Sequence, residues 1–412
     1  MILTGIRQAG PVELRAARGI VAAALLAGSA QTATAVTTIL PIETPFASTS
    51  DHVISYRQQN HSWQASDGAF HLLINTGNQP TMDALRLYTT RDRGATWTAG
   101  PTLASSNMLS TEDGLLVGDS LALVYNTVVN RIRFASFAWH PASGTWSAGN
   151  SQTVFASEVQ SAANPCIARD SLGNLWVAFV TTDNATGDNA IRMMVRPAET
   201  GAWIDPGLTF GEANGGPVER SARPVIIPGG MGMVYTVHRD FYWATRSDSS
   251  TFGEPWTTQL LYTRAGRSDD PYASHFSVAS DAYGNVHLVA VDGGELLYFR
   301  RDATSGTWSQ RKLGGEDMLA HFPQVTVVGD MLIVAANVKS YAGVFTSPDL
   351  GRTFAYSFRL QHNPYAPGVS YQTPRLETAA KSTSPVLLFQ QYVDHGIQRM
   401  LEFVIPVDEP SQ

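Results

Sequence analysis

Short apolar runs rich in β-branched and aromatic residues recur along the whole chain. They are Phe70-His71-Leu72-Leu73-Ile74, Leu121-Ala122-Leu123-Val124-Tyr125, Leu175-Trp176-Val177-Ala178-Phe179, Gly232-Met233-Val234-Tyr235-Thr236, Val286-His287-Leu288-Val289-Ala290, Met331-Leu332-Ile333-Val334-Ala335 and Val386-Leu387-Leu388-Phe389. Polar turns precede them, among them Ser66-Asp67-Gly68, Leu172-Gly173-Asn174, Tyr283-Gly284-Asn285 and Gly329-Asp330. Nearly continuous apolar runs of this length predict strands buried on both faces. A second feature keeps step with the first. A turn followed by an aromatic recurs at Trp97, Trp146, Trp203, Trp256, Trp308 and Phe354, at intervals of roughly fifty residues. Seven units follow: 51–100, 101–149, 150–206, 207–257, 258–309, 310–356 and 357–406. The last lacks the aromatic turn and is one strand short, and Val36 to Ile42 is the stretch expected to supply that strand. The pattern predicts one all-β domain, a β-propeller of seven four-stranded blades closed by an N-terminal strand. Six blades is the alternative count.

Two of the turns carry a full motif, Ser/Thr-x-Asp-x-Gly-x-Thr-aromatic. They are Thr90-Arg91-Asp92-Arg93-Gly94-Ala95-Thr96-Trp97 and Ser347-Pro348-Asp349-Leu350-Gly351-Arg352-Thr353-Phe354. The carboxylate can accept bonds from the turn it sits in, and the glycine supplies a positive φ. The outgoing aromatic can plug between sheets. With this pattern, called the Asp box, the chain resembles the sialidase-like β-propellers of the bacterial-neuraminidase-repeat superfamily. The resemblance speaks to fold more than chemistry, because Asp92 and Asp349 are needed by their turns. It extends to seven-bladed polysaccharide lyases, which implies His, Tyr and Arg residues in an axial funnel.

Composition changes the picture in two ways. The net charge of −7 gives no basic face for a nucleic acid. Arg7, Arg15 and Arg18 precede the apolar run from Gly19 to Ala30, and Ala33-Thr34-Ala35 follows. This order reads as an export signal over residues 1–35, leaving 36–412 as the propeller. The expectation is a bacterial secreted or periplasmic protein. No later apolar run is long enough to span a bilayer. Cys166 is the only cysteine, so the chain cannot form an internal disulfide.

Candidate chemistry follows from the repeat. Aligning the units on their glycine turns places His61, His275 and His321 at one equivalent position, with Arg220, Arg223 and Tyr371 beside them. His238-Arg239-Asp240 follows the second strand of the fourth unit, and Asp292 that of the fifth. A hairpin tip has no packing need for both His238 and Arg239. The catalytic candidates are therefore His238, Arg239, His275, His321 and Tyr371. Substrate contacts are expected from His61, Arg223, Trp63 and Tyr242, with Phe241, Trp243 and Tyr272 as further aromatics. His71 and His287 lie inside apolar runs and are expected in the core. No cofactor is required, and no metal motif such as H-E-x-x-H occurs, although a bound cation at the histidine ring or at Asp269-Asp270 is compatible with the residue types.

These residues fit three functions. The first is a lyase acting on an acidic, uronate-containing polysaccharide, with His238 as base, Arg239 or Arg223 on the carboxylate, and His275, His321 or Tyr371 as acid. The second is a sialidase-like exo-glycosidase. The family's early arginine motif is missing, with only Arg57 near the right place, and Asp240, Asp292 and Glu219 are the few carboxylates that could serve. The third is a non-catalytic propeller that binds glycan or protein. A monomer is expected in each case.

Overall fold

A computed structural model describes residues 36–50, 53–54, 58–77, 83–105, 112–128, 130–211, 220–265, 276–314, 320–338, 341–361, 368–370 and 376–407. Its regular elements are all β-strands, in seven antiparallel sheets that follow one another along the chain. Blade 1 runs Ser62–Gln64, Phe70–Asn75, Asp83–Thr90, Thr98–Ser105. Blade 2 is Glu112–Val117, Ser120–Val128, Arg131–His140, Thr145–Ala156. Blade 3 is Gln160–Arg169, Leu175–Asp183, Asn189–Arg196, Thr209–Phe210. Blade 4 is Arg220–Ile227, Gly230–Val237, Asp240–Ser247, Thr257–Thr263. Blade 5 is Phe276–Ser280, Val286–Asp292, Glu295–Arg301, Trp308–Lys312. Blade 6 is Ala320–Val328, Met331–Val338, Tyr341–Ser347, Ala355–Leu360. In blade 7, Val369–Ser370 and Leu376–Glu377 both pair Val386–Asp394, which pairs Ile397–Ile405.

Burial falls from the inside of each blade outward. The second strand Val286–Asp292 is buried throughout, whereas the fourth strand Thr257–Thr263 is largely exposed. The core is distributed between blades. One cluster joins Trp176 and Met193 of blade 3 to Met233 and Tyr235 of blade 4, and the next joins Val234 and Trp243 to Phe276 and Leu288 of blade 5. Corresponding clusters span every other junction, including Leu388 and Leu401 of blade 7 with Val344 of blade 6, and Phe389 of blade 7 with Phe70 of blade 1. Each sheet buries both faces against its neighbours, so the ring is a seven-bladed β-propeller.

Two expectations need correction. The strand that closes the ring is Ile42–Ser48, antiparallel to Ile397–Ile405. Its alternation puts Thr44, Phe46 and Ser48 inward, and Phe46 packs on Trp97 at 5.0 Å. Within the stretch expected to do this, Thr37–Ile39 instead pairs in parallel with Ala355–Leu360 and extends blade 6. The unit boundaries are also one strand out of phase. The aromatic that marks each repeat stands at the start of the fourth strand, so cutting there assigns most of that strand to the next unit.

The motif turns are self-contained, as their sequence implies. Asp92 Oδ1 accepts from Thr96 N–H at 2.8 Å and Oδ2 from the Thr96 hydroxyl at 2.6 Å. Asp349 does the same for Thr353, at 2.7 Å in both cases. Gly94 and Gly351 hold φ of 89° and 86°. Both glycines also admit a neighbour from the preceding blade. A Cβ on Gly94 would lie 1.8 Å from Glu402, and one on Gly351 would lie 1.7 Å from the Tyr298 hydroxyl. Glu402 and Tyr298 occupy matching third-strand positions, opposite Phe389 and Val289.

Glu402 is buried, and neither carboxylate oxygen has a hydrogen-bond partner of good geometry. Burial pushes its pKa up to about 7, against which the nearby Trp97 indole is a weak counterweight. A carboxyl with a raised folded pKa binds its proton more tightly when folded. Its contribution to stability is whole below the ordinary value of 4.5 and is lost as pH rises through about 7. Glu402→Gln should therefore stabilise the protein by roughly 2–3 kcal/mol above that range and change little at the acidic end. Denaturant unfolding across the pH range measures this. An equal gain at every pH would show that ionisation of Glu402 is not the cause.

Candidate functional site

The strand order of a blade alternates its turns between two faces. Turns from first to second strand and from third to fourth share the lower face with the motif turns. Turns from second to third strand open on the upper face, where each first strand also begins.

At the upper end of blade 4, Arg220 opens the first strand and pairs with Val237, the last residue of the second strand. His238 and Arg239 then form a two-residue turn, and Asp240 begins the third strand opposite Val237. His238 takes a φ of 55°, and both turn side chains are exposed. The turn is braced from beneath. Arg264 N–H donates to the Arg239 carbonyl at 3.0 Å, and its guanidinium reaches the His238 carbonyl at 3.4 Å while lying 5.8 Å from the Phe241 ring centroid. Asp240 accepts from the Thr263 hydroxyl at 2.7 Å and the Tyr242 hydroxyl at 3.3 Å. Tyr242 is half-buried and stacks on Tyr235, centroids 5.0 Å apart and planes 13° from parallel. Burial, then the Asp240 charge, raises the Tyr242 pKa.

Arg220 is the unusual member. It is 4% exposed, yet it makes no ion pair among the described residues. Its Nε donates to the Asn189 side-chain carbonyl, while Nη1 and Nη2 are buried without a hydrogen-bond partner. Burial lowers its pKa from the ordinary guanidinium value. Gly211 makes room for it, since a Cβ there would lie 2.6 Å from Nη1. A buried guanidinium with two idle NH2 groups costs stability unless an anion completes it. The fork geometry suits a carboxylate or a sulfate. Sequence reading placed Arg220 beside the expected ring without giving it a role; its lack of a partner is visible only in three dimensions.

Arg223, expected to clamp a substrate, is already taken. Its Nη1 reaches both oxygens of Asp113 at 2.7 and 2.6 Å, and both residues are buried. Asp113 also accepts from the N–H groups of Asn60 and Ile167, each at 2.6 Å, so it ties blades 1, 2, 3 and 4 together. His61 is likewise fully buried. Its Nδ1 lies 3.1 Å from Glu377 Oε2, and its N–H donates to Oε1 at 3.0 Å. Burial alone would lower the His61 pKa, but the charge and hydrogen bond of Glu377, with Glu112 and Asp113 behind, raise it.

The expected equivalence of His61 and His321 fails on register. The His61 carbonyl accepts from Leu73, the fourth residue of its second strand. His321 pairs with Asn337, near the far end of its second strand and beyond an irregularity in the pairing before Gln324. Phe322, within that irregularity, has a φ of 50°. His321 is half-buried at the upper end of blade 6. His275, Tyr371, Tyr272, Arg57, Glu219, Asp269 and Asp270 lie outside the described residues.

The aromatics divide. Phe241 and Trp243 are buried between blades 4 and 5, so of the fourth-blade group only Tyr242 is accessible. Trp63 is 6% exposed, donates to the Gly114 carbonyl at 3.1 Å and lines a cavity on the lower side of the axis. His71 and His287 are core residues, as expected. His71 bonds Thr89 at 2.9 Å between Trp139 and Trp146, and burial takes its pKa down to about 3. His287 bridges Tyr298 at 2.7 Å and Asp281 at 3.1 Å. Asp292 is buried at the upper end of blade 5, accepting from the Tyr262 hydroxyl at 2.7 Å and Ala265 N–H at 2.9 Å. Among the described residues, no group of three His, Cys, Asp or Glu side chains converges as a metal site.

The fold is a seven-bladed propeller, and its upper face carries the buried Arg220 guanidinium beside an exposed His238-Arg239 turn. No protein-family profile matches the chain, and no curated protein matches it in sequence. Solved structures are similar in fold. An ulvan lyase of polysaccharide lyase family PL25 aligns with TM-score 0.57 and 12% identity, covering 89% of this chain and 96% of that one. Polysaccharide lyase Uly1 aligns with TM-score 0.50 and 11% identity, covering 85% and 90%. An α-L-arabinanase of Penicillium chrysogenum, complexed with arabinobiose, aligns with TM-score 0.47 and 15% identity, covering 76% and 99%. At these identities the likeness is one of fold.

Proposed function

We infer that the protein is a carbohydrate-active propeller that cleaves an acidic, uronate-containing polysaccharide by β-elimination on its upper face. The observation that carries this reading is Arg220, a buried guanidinium whose two NH2 groups have no partner among the described residues, beside an exposed His-Arg turn. Bound to the uronate carboxylate, Arg220 offsets its charge and makes the C5 proton more acidic. His238, neutral, takes that proton. The C5–H electron pair forms the C4–C5 double bond, and the C4–O bond breaks toward the leaving sugar. A protonated side chain supplies the proton to the leaving oxygen; His321 is the described candidate, and His275 and Tyr371 remain candidates from sequence. Arg239 and Tyr242 hold neighbouring sugars, one by charge and the other by an aromatic face. Fold likeness to structures described as lyases is compatible with this chemistry without carrying it.

The product's conjugated double bond absorbs in the ultraviolet, so turnover on a panel of uronate polymers is read directly. Wild type should show the absorbance rise, and His238→Ala should lose about 10²–10⁴-fold in rate. Reducing ends without the absorbance would assign hydrolysis, and binding without product would assign a lectin-like role. Residues 1–35 are proposed as an export signal and 36–412 as a secreted or periplasmic monomer. N-terminal sequencing of exported protein should find a start near Val36.

A further inference from the structure

The lower end of the axis holds a cavity of 620 Å³, well separated in the fold from the Arg220 turn. Its walls are first strands, each hydrogen-bonded to a blade on one side only. Some backbone groups on their inner edges are already bonded, as Gly114 is to Asn60 and Trp63 and the Ile167 N–H is to Asp113; the others are left for whatever fills the space. Asn60 and Arg223 mark its inner end, where the Arg223–Asp113 pair sits. Arg169 and Lys381, both exposed and without an ion pair among the described residues, line it nearer the mouth.

Exposed apolar side chains gather on the same lower face, and of these Val117 and Ile226 line the cavity. Val117, Leu172, Ile226 and Tyr283 are 41%, 60%, 40% and 62% exposed, and they stand at the first-to-second strand ends of four successive blades. Tyr283 is held by its hydroxyl, which donates to Asp330 of the next blade at 3.1 Å. Its ring is thereby fixed on the turn that follows the cavity-lining residues Val278, Ala279 and Ser280. A cavity of this size is in the range of small-ligand sites, about 300–1,000 Å³, and far smaller than a folded partner needs. A lipid tail would leave the strand edges unsatisfied. A sugar chain suits the surroundings better, with hydroxyls for the backbone edges, a ring face for Tyr283 and acidic groups for Arg169 and Lys381.

We propose that this lower cavity is a second glycan-binding site, taking a short acidic oligosaccharide at the end of the axis opposite the Arg220 cluster. It rests on the acidic-glycan reading of the upper face but uses none of the same residues. Two sites on opposite ends of one rigid ring would let the protein hold two polymer chains, or two stretches of one long chain.

The probe is a β-1,4-linked glucuronate tetrasaccharide, with cellotetraose as the uncharged control, titrated calorimetrically into the full chain. Wild type should bind two equivalents of the acidic probe. Arg169→Ala/Lys381→Ala and, separately, Tyr283→Ala should weaken one site by about tenfold or more while the other persists. Arg220→Met should remove the other. The lower-face side chains are exposed, so those variants should fold; Arg220 is buried, and thermal unfolding checks that Arg220→Met folds as well. Binding that vanishes in Arg220→Met and is untouched by the lower-face variants overturns the second site and leaves the upper reading standing. Binding confined to the lower face, with no turnover of uronate polymers, upholds the second site and removes the lyase reading. Equal binding of cellotetraose, or none of either probe, overturns the inference.

Discussion

Arg220→Met should cut turnover of a uronate polymer by roughly 10²–10³-fold while making the protein more stable. The two effects have opposite signs for one reason. In the free protein the Arg220 guanidinium is buried with Nη1 and Nη2 unpartnered, and burial already lowers its pKa. Removing it deletes an uncompensated polar group, a gain on the order of 1 kcal/mol. In the reacting complex the same group meets a carboxylate whose negative charge grows as the C5 proton leaves. Its interaction is stronger in the transition state than in the ground state, so it acts on kcat and not only on KM. Loss of one such donor costs roughly 10²–10³-fold in turnover. Arg220→Lys keeps the charge but not the two-pronged geometry, and should recover only part of the rate. Steady-state kinetics beside denaturant unfolding decide the matter. A variant that is destabilised, or that keeps full turnover, would show that Arg220 is structural.

The fold was legible because its signal is repeated. Each blade writes one doubly buried strand, six of the seven add a turn-plus-aromatic in phase with it, and such a repeat leaves few other architectures. What was not legible depended on pairing. A strand three residues long, Thr37–Ile39, and the seven-residue strand after it look alike as sequence; only the sheet edges available decide which joins blade 6 and which closes blade 7. The same holds at the site. His61, Arg223 and Trp63 stand near first strands, as funnel residues would, but polarity alone cannot say whether a charged side chain has found a partner. Glu377 and Asp113 lie far away in sequence and claim His61 and Arg223. The exposure of His238 and Arg239 could be read because a two-residue turn leaves its side chains little to pack against.

The residue whose loss should damage the fold most is Asp113. It sits at the start of the blade 2 first strand, is fully buried, and accepts from Arg223 and from two backbone N–H groups on different blades. Asp113→Ala would strand a buried guanidinium and two buried amides at once. Breaking a buried ion pair from one side costs about 3–5 kcal/mol, and each orphaned amide adds about 1–3 kcal/mol before relaxation. Water entering from the lower cavity would recover part of this, so a net loss of about 5 kcal/mol is expected, a large share of a typical domain's stability. The partners can be separated. Asp113→Asn keeps an acceptor for the amides but still abandons the Arg223 charge. Adding Arg223→Met to it removes that charge and should restore much of the loss, because an absent ion pair is less costly than a broken one. If Asp113→Asn alone were as stable as wild type, the carboxylate would matter only as an acceptor of backbone bonds. If the double variant were no better than Asp113→Asn, the buried guanidinium would not be the source of the cost. Recovery in the double variant would instead identify Arg223 as a tie between blades.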